Sequence, residues 1–453
     1  MKIIIFDDDP TGSQAVYGCP LLLSWDVDTI RKGLKHVSPL LFILTNTRSL
    51  SSEFAEIRLR DVCQSFKKAC EIEGIKKGEL LFVSRGDSTL RGHVYIECET
   101  INQELGCFDA TFHIPAFLEG GRQTIQGKHF LNGVPVHLTP FAEDRIFGYS
   151  TNDLAIWLER RSGGIVSSSD VGLINIDLLN AAMESGSGMS SLLSYLLSLS
   201  HNKQVIVDAQ TSSQLGIFAN AVKHLRHEKN FLFRSAASLL KSLSSLPPQP
   251  KKVEEFSLLR KKFNSLNDKP GLILVGSHVK LADDQLKVLI QDTSVSAIEL
   301  PVLKAYKILN DFPNPKILDE FEKDFIEKVN RVLISCKTPA LYTTREEMAF
   351  DSTSDRIKFG IDLARIMARI SAKFISQLGY IISKGGTTTQ VLLSYGLGLP
   401  YVQLQGQILP GLSVVTAKRI NQIRDFPILT FPGNLGDKYT LLNAYKHMEN
   451  KRI

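Results

Sequence analysis

The stretch MKIIIFDDDPTG, residues 1–12, decides the fold, because a continuous apolar run passes directly into a polar turn. The same pattern recurs along the chain, where apolar runs end in polar or glycine-rich turns at residues 40–44, 80–83, 205–207, 272–275 and 380–382. Continuous apolar runs that alternate with helical patterns are typical of parallel strands covered by helices on both faces. The sequence therefore predicts an α/β protein built from mainly parallel sheets flanked by helices.

The chain is long enough for two domains of this kind. Its 453 residues exceed what a single hydrophobic core usually supports. Prolines 247, 248 and 250 interrupt regular structure, and a charged segment follows them. We therefore predict a first domain at residues 1–245, a linker at 246–270 and a second domain at 271–453.

The amino-acid composition and charge of the chain argue against several classes of protein. The chain is 43% hydrophobic and 22% charged, which excludes a largely disordered protein. The net charge of +6 is mild and its basic residues are scattered, so we expect no nucleic-acid partner. Six cysteines without a CxxC pair favour reduced thiols. No apolar stretch has the length of a membrane span or a signal-peptide core, so we expect a soluble, cytoplasmic protein.

Three strands of the first domain end in turns rich in acids, hydroxyls and arginine, at residues 7–12, 45–48 and 84–92. The carboxyl ends of parallel strands meet at one edge of a sheet, so these turns should form one pocket. Arginine pairs with carboxylates, and Asp or Asn bind hydroxyls, so the mixture suits a polyhydroxy acid. The candidate ligand-binding residues are Asp8, Asp9, Thr11, Gly12, Asn46, Arg48, Asp87, Ser88, Thr89 and Arg91.

Simpler interpretations of these turns stay open. The aspartates after the first strand could only cap a helix, and Asp87 with Ser88 could begin a capped helix. Further along, residues 115–124 join a pair of glycines to Glu119 and Arg122, which we add to the pocket. Glycines permit close backbone approach to a ligand, although a plain turn would have the same residues.

The second domain contains three glycine turns that could hold a nucleotide. Gly385, Gly386, Thr387 and Thr388 follow a predicted strand and precede a helix predicted at residues 390–396. Free amides at a helix N-terminus favour phosphate, although such a turn is also ordinary helix capping. The other two turns contain Ser277, before a helix predicted at residues 281–290, and Gly433. A longer helix predicted at residues 358–378 has an apolar stripe that indicates packing.

The ordered motifs resemble those of the four-carbon acid sugar kinase family over nearly the whole chain. They are DDxTG at residues 8–12, TNTR at 45–48, DSTLRG at 87–92, PAFxExGR at 115–122, NGVP at 132–135, GS at 276–277, GG at 385–386 and GNxG at 433–436. The resemblance implies ATP-dependent phosphorylation of the terminal hydroxyl of a tetronate or 3-oxo-tetronate. It also implies that the first domain binds the sugar acid and the second domain binds ATP.

Matching positions imply particular roles. For the acceptor, the resemblance suggests Asp8, Asp9, Arg48, Asp87, Ser88 and Arg91. For ATP, it suggests Ser277, Gly385, Gly386, Thr387, Thr388 and Gly433. The chain departs from the pattern at Thr387, where members usually carry an acid, and the metal ligands are therefore not assigned.

Our working hypothesis is in-line transfer from ATP, with Mg²⁺, in a cleft between the two domains. Asp8 or Asp9 would be the base, Arg48 and Arg91 would bind the substrate carboxylate, and Asp7 would be structural. Two alternatives stay open: a catalytically inactive protein that binds a sugar acid or regulates, and a sugar-acid isomerase or aldolase. The expected partners are the sugar acid and ATP, with no membrane, and a homo-oligomer is left open.

Overall fold

The chain divides into two compact units, Met1–Pro248 and Gln249–Ile453. The structure, a computed structural model, describes residues 1–12, 16–262, 268–311, 313–345, 348–420 and 423–451. The division lies inside the stretch predicted as a linker, where a 3-10 helix spans Val253–Leu259. Within the described ranges, every helix is too short or too polar to cross a membrane.

The first unit is built on one parallel sheet and a small antiparallel one. Its strands are β1 Lys2–Asp7, β2 Pro20–Leu22, β3 Leu40–Leu44, β4 Leu80–Arg85, β5 Ala110–Ile114, β6 Arg122–Ile125, β7 Lys128–Leu131, β8 Val134–Pro135, β9 Gly172–Ile174, β10 Lys203–Val207 and β11 Phe231–Ser235. The parallel order is β2-β3-β1-β4-β11-β5-β10-β9, and β6-β7-β8 form the antiparallel sheet.

Helices follow most of these strands. They are α1 Val27–Leu34, α2 Ser52–Glu73, α3 Val94–Leu105, α4 Leu154–Arg161, α5 Ile176–Glu184, α6 Gly186–Ser198, α7 Ser212–His224 and α8 Ala237–Ser244. Local sequence fixes several of their starts: Asp26 caps α1, Ser51 caps α2, and Thr211 forms a capping box with Gln214 at α7. Strands β1, β3 and β4 are buried on both faces, which explains their continuous apolar sequences.

The second unit has a mixed sheet. Its strands are β12 Gly271–Val275, β13 Val295–Leu300, β14 Thr338–Thr343, β15 Tyr380–Lys384, β16 Tyr401–Leu409, β17 Leu412–Ile420 and β18 Ile423–Phe431, in the order β13-β14-β12-β15-β18-β17-β16. In this order, each pair of neighbours from β13 to β18 is parallel. The pairs β18 with β17 and β17 with β16 are antiparallel. The helices are α9 Lys280–Leu289, α10 Val302–Tyr306, α11 Pro315–Ile334, α12 Thr353–Ala372, α13 Gly386–Val391 and α14 Thr440–Met448.

The prediction of a two-domain α/β protein with mainly parallel sheets is confirmed. The antiparallel strands at the edge of the second unit were not expected, although β16 alternates buried and half-buried positions as such strands do. The apolar stripe predicted at residues 358–378 packs as expected, with Ile366, Met367 and Ile370 buried in α12. That helix spans Thr353–Ala372, so it begins five residues earlier and ends six residues earlier than predicted.

Candidate active site

The acidic turn of the first unit lies where β1 ends at the carboxyl edge of the parallel sheet. Backbone bonds join it to the neighbouring turn, because the Thr45 amide donates to the Asp7 carbonyl at 2.9 Å and the Arg48 amide donates to the Asp8 carbonyl at 3.4 Å. In the described part of the turn, up to Gly12, the chain forms no helix. Within those residues, the aspartates therefore cap no helix.

Asp8 is a buried anion held by arginines. Arg48 binds both of its oxygens, with Nη2 at 2.6 Å from Oδ1 and Nε at 3.0 Å from Oδ2. Nη1 of Arg85 lies 3.3 Å from Oδ1, and Nη2 of Arg234 lies 3.9 Å from Oδ2. Burial by itself would raise the pKa of Asp8, but the arginines outweigh it and hold that pKa below its ordinary value.

Asp7, which the sequence suggested was structural, is an unusual buried acid. Its Oδ1 lies 3.4 Å from Nη1 of Arg85, and its Oδ2 has no hydrogen-bond partner among the described residues. Burial raises the pKa of Asp7 to about 7, and Arg85 opposes that shift only in part. A Cβ at Gly12 would lie 2.2 Å from Oδ1 of Asp7, so the turn requires glycine there.

Asp9 is the most accessible acid of the turn. Its Oδ1 accepts a hydrogen bond from the Thr11 amide at 2.8 Å and another from the Thr11 hydroxyl. Its Oδ2 lies 3.6 Å from Nη1 of Arg48, and both side chains are 18% exposed. Asp9 can therefore meet a ligand, whereas Asp8 lies behind it.

The turn after β4 folds around Asp87. This carboxylate accepts from Nε of Arg91 at 2.7 Å and from the Thr89 hydroxyl. Burial alone would raise its pKa, but Arg91 and Arg48 keep that pKa far below the ordinary value. Helix α3 begins only at Val94, so Asp87 and Ser88 cap no helix. The helix-start interpretation of DSTLRG is wrong.

A second ion pair, missed by the sequence reasoning, lies beneath these turns. Arg234, from β11, donates to Glu97 of α3 and to the Ser84 hydroxyl at 2.7 Å. Glu97 also accepts from the Thr47 hydroxyl at 2.7 Å. A Cβ at Gly86 would lie 2.4 Å from the Arg234 guanidinium, so this glycine admits the arginine. The pair connects the ends of three strands and fixes the base of the pocket.

Arg122 differs from the other arginines of this edge. It has no ion pair within the described chain, and its buried Nε has no hydrogen-bond partner there. Its guanidinium lies over the Phe117 ring at 5.8 Å and donates to the Gly120 carbonyl at 2.5 Å. Burial lowers its pKa and Asp87 opposes that shift, so the two groups interact. A half-buried guanidinium that has no carboxylate partner among the described residues is suited to an anionic ligand.

Other candidate residues of the first unit have local partners. The backbone of Asn46 adopts a left-handed conformation, as expected for a turn residue. Its side chain donates to the Ser49 hydroxyl at 2.8 Å. Glu119 is exposed and accepts from Ser238 at 2.5 Å. Ser88 is buried, and its carbonyl accepts from His129 at 2.8 Å. These contacts support the turns and leave any ligand role for the three residues a prediction.

The three glycine turns of the second unit converge at one edge of its sheet. A Cβ at Gly276 would lie 2.1 Å from the Thr388 hydroxyl, and one at Gly433 would lie 2.4 Å from the Ser277 hydroxyl. At Gly385, whose φ is +116°, a Cβ would lie 3.3 Å from the Ser277 amide nitrogen. Glycine at these positions leaves room for the facing atoms. The predicted residues of these turns are therefore neighbours.

One local detail differs from the prediction. The helix begins at Gly386, not at residue 390, so Thr387 and Thr388 lie inside its first turn. It continues for only six residues before a π-helical turn at Leu392–Gly396. Thr387 is half-buried and Thr388 is buried. The helix after Ser277, predicted at residues 281–290, is α9 at Lys280–Leu289.

Two cations stand beside these turns, and the sequence reasoning singled out neither. Lys384, at the end of β15, is fully buried and donates to the carbonyls of Pro432 and Gly433 at 3.1 and 3.2 Å. Arg345 donates to the Ser277 carbonyl and pairs with Asp283. Burial lowers the pKa of Lys384 to about 7, and Arg345 adds to this shift. A lysine directly before the paired glycines was visible in the sequence.

The described residues form no metal-binding cluster at these turns. Within the described ranges, no group of three or more His, Cys, Asp or Glu side chains could hold a metal. Beside the turns, Lys384 and Arg345 are cations, Asp283 is paired with Arg345, and Asp437, which follows Gly436, accepts a hydrogen bond from the Thr440 hydroxyl. Magnesium prefers carboxylate, water and phosphate oxygens. An ion arriving on the phosphates of a nucleotide remains compatible with this site.

Comparisons with known proteins cover both units. Residues 3–243 match the sugar-binding N-terminal domain family, and residues 272–441 match the nucleotide-binding C-terminal domain family. The chain is 22% identical to a D-erythronate kinase of Heliobacterium modesticaldum, with 96% of this chain and 94% of the kinase covered.

Solved structures share the fold. A Salmonella typhimurium LT2 protein described as a tRNA synthase superposes with a TM-score of 0.64 at 15% identity, over 98% of both chains. A Haemophilus influenzae protein superposes with a TM-score of 0.59 at 17% identity, over 99% of both chains. At these identities the similarity concerns the fold.

Proposed function

The chain belongs to the four-carbon acid sugar kinase family, and we propose that it transfers the γ-phosphoryl group of ATP to the terminal hydroxyl of a four-carbon sugar acid. The observation that carries this proposal is the pairing of two sites in one chain. The first unit has acids and an unpaired arginine at one sheet edge, and the second has three glycine turns beside two cations. A tetronate or 3-oxo-tetronate is the substrate class.

The pocket of the first unit supports an acceptor that carries both a carboxylate and hydroxyls. We assign the substrate carboxylate to Arg122, because Arg48 and Arg91 are already paired with Asp8 and Asp87. Guanidinium binds carboxylate through two parallel hydrogen bonds, which also fixes the orientation of the acid. This assignment replaces the earlier hypothesis that Arg48 and Arg91 bind that group directly.

Asp9 is the proposed base. The acceptor oxygen would attack the γ-phosphorus, the bond from that phosphorus to the β,γ-bridging oxygen would break, and the hydroxyl proton would pass to Asp9. Asp8 is unsuited to the task, because its arginine partners hold its pKa below the ordinary value. Asp8 instead keeps Arg48 beside Asp9, where the guanidinium can stabilise negative charge.

The turns of the second unit are the proposed nucleotide site. Ser277, Gly385, Gly386, Thr388 and Gly433 bring amides and hydroxyls together, which suits phosphate oxygens. Thr387 lies in the same turn and supplies a hydroxyl where relatives usually have an acid. We propose that Mg²⁺ enters on the phosphates, where it neutralises their charge.

A screen of ATP consumption over four-carbon sugar acids, with D-erythronate included, tests the proposal. We expect ADP formation that requires both an acid and magnesium. ATP binding without consumption in any reaction would favour a sugar-acid-binding or regulatory protein. Conversion of an acid without ATP would favour an isomerase or aldolase.

A further inference from the structure

Within the described part of the chain, the buried charge of Lys384 at the proposed nucleotide site has no anionic partner. Lys384 has no exposed surface, and its Nζ lies 3.9 Å from the centre of the Phe431 ring. The ammonium has three N–H donors, and the described residues offer it two acceptors, the carbonyls of Pro432 and Gly433. Among the described residues no third oxygen or nitrogen acceptor lies within hydrogen-bond distance, and the face of the Phe431 ring is the remaining contact.

The surroundings of Lys384 favour an anion. Arg345 follows β14 and repels the ammonium, while Asp283 of α9 is occupied by Arg345. His278, after β12, is hydrogen-bonded to Thr343, and Phe431 and Pro432 are uncharged. Nη1 of Arg345 is also buried without a hydrogen-bond partner in the described chain. Two cations with unused donors therefore stand at the same glycine turns.

We propose that Lys384 is a phosphate-binding residue, whose ammonium neutralises the phosphates of the bound nucleotide at turns where the described residues form no metal-binding cluster. The inference rests on the proposed nucleotide site and adds a residue to it. A buried, unpaired ammonium is costly, and a phosphate supplies the missing counter-charge and the missing acceptor. Because Lys384 lies at the end of β15, directly before Gly385, the strand holds this charge in place.

A purely structural role for Lys384 and a role in phosphate binding predict different effects of removing its ammonium. If the ammonium only joined β15 to the turn after β18, its loss would lower the melting temperature and affect every ligand equally. If it binds phosphate, Lys384→Met removes a desolvated charge and leaves an apolar chain of similar length. Under either role the carbonyls of Pro432 and Gly433 lose this donor, so the test is whether the loss of binding is selective for ligands that carry phosphate.

Calorimetric titration of the full chain with ATP and with adenosine tests the proposal. We expect Lys384→Met to weaken ATP binding by about tenfold or more and to leave adenosine binding unchanged. Lys384→Arg should recover part of the ATP affinity, because it restores the charge. Lys373→Met, at an exposed lysine after α12, is the matched control and should bind ATP normally.

Proton uptake gives an independent readout. With a pKa of about 7, Lys384 is mostly neutral at pH 8, and a bound phosphate should return it to the charged form. ATP binding at pH 8 should therefore take up a proton, seen as a heat that differs between Tris and HEPES buffers. The uptake should vanish at pH 6 and in Lys384→Met.

Two results distinguish an error in the role of Lys384 from an error in the proposed function. Equal ATP affinity and equal proton uptake in wild type and Lys384→Met would overturn the role of Lys384 alone. A wild-type protein that binds no nucleotide would overturn the proposed function and this inference together.

Discussion

Arg48 binds both carboxylate oxygens of Asp8, at 2.6 and 3.0 Å, although the two residues lie 40 positions apart in the chain. The bond joins the turn after β1 to the turn after β3, and Asp8 is completely buried beneath it. Arg85 and Arg234 approach the same carboxylate. Asp8 is therefore the anion around which Arg48, Arg85 and Arg234 assemble.

Replacing Asp8 should unfold this arrangement. Asp8→Asn leaves several buried guanidinium groups without their common anion, so we expect a loss of about 3–5 kcal/mol in the free energy of unfolding. Urea denaturation measures the loss. Asp28→Asn is the control, because its carboxylate is 76% exposed beside Arg31 and should contribute about 1 kcal/mol or less. Equal effects of the two substitutions would contradict the role of Asp8.

Because of Asp7, we expect the stability of the folded protein to depend on pH in an unusual way. Its pKa in the folded protein is about 7, above its ordinary value, so the folded state holds a proton between about pH 4 and 7 that the unfolded state has lost. This group therefore favours folding below pH 4 and loses that contribution as pH rises through 7. Asp7→Asn should be more stable than wild type at pH 8, by at most about 4 kcal/mol, with the difference vanishing near pH 4. Thermal melts across this range measure it, and a difference independent of pH would contradict the assignment.

The sequence was sufficient for the strands and for the turns that follow them, because parallel strands carry their polar residues at the same edge. It could not show how those residues pair. Arg48 was expected to face the substrate, yet Asp8 already binds it, and that contact depends on the register between β1 and β3. The ion pair between Arg234 and Glu97 was missed because the two residues lie 137 positions apart in the sequence. Lys384 directly precedes the paired glycines in the sequence, but only its burial shows that its charge is unusual.

Arg122 should determine affinity for the acid and not for the nucleotide. Arg122→Gln removes the unpaired guanidinium, and we expect the KM for the sugar acid to rise by about tenfold or more while the KM for ATP is unchanged. Arg122→Lys keeps the charge but loses the two parallel hydrogen bonds, so its KM for the sugar acid should lie between those of wild type and Arg122→Gln. Steady-state kinetics measures both constants, with Arg60→Gln on the surface of α2 as the control. An unchanged KM for the acid in Arg122→Gln would overturn the assignment.

The glycine turns should tolerate no added side chain. In Gly276→Ala the new Cβ would lie 2.1 Å from the Thr388 hydroxyl, so the turns must move apart and ATP binding should weaken. Gly360→Ala in α12 meets no atom within 4 Å and should bind ATP normally, with stability unchanged or increased. Calorimetric titration with ATP compares the two variants. Normal ATP affinity in Gly276→Ala would show that the nucleotide lies elsewhere.

Transfer of label from [γ-³²P]ATP to a four-carbon sugar acid tests the central claim most directly, with wild type and Asp9→Asn compared at saturating ATP. We expect wild type to label the terminal hydroxyl of the acid. Asp9→Asn should bind ATP normally and transfer label at least about 100-fold more slowly, because it lacks the base. Transfer at the wild-type rate in Asp9→Asn would contradict the role of that residue. ATP binding by wild type with no label on any four-carbon acid would contradict the kinase itself.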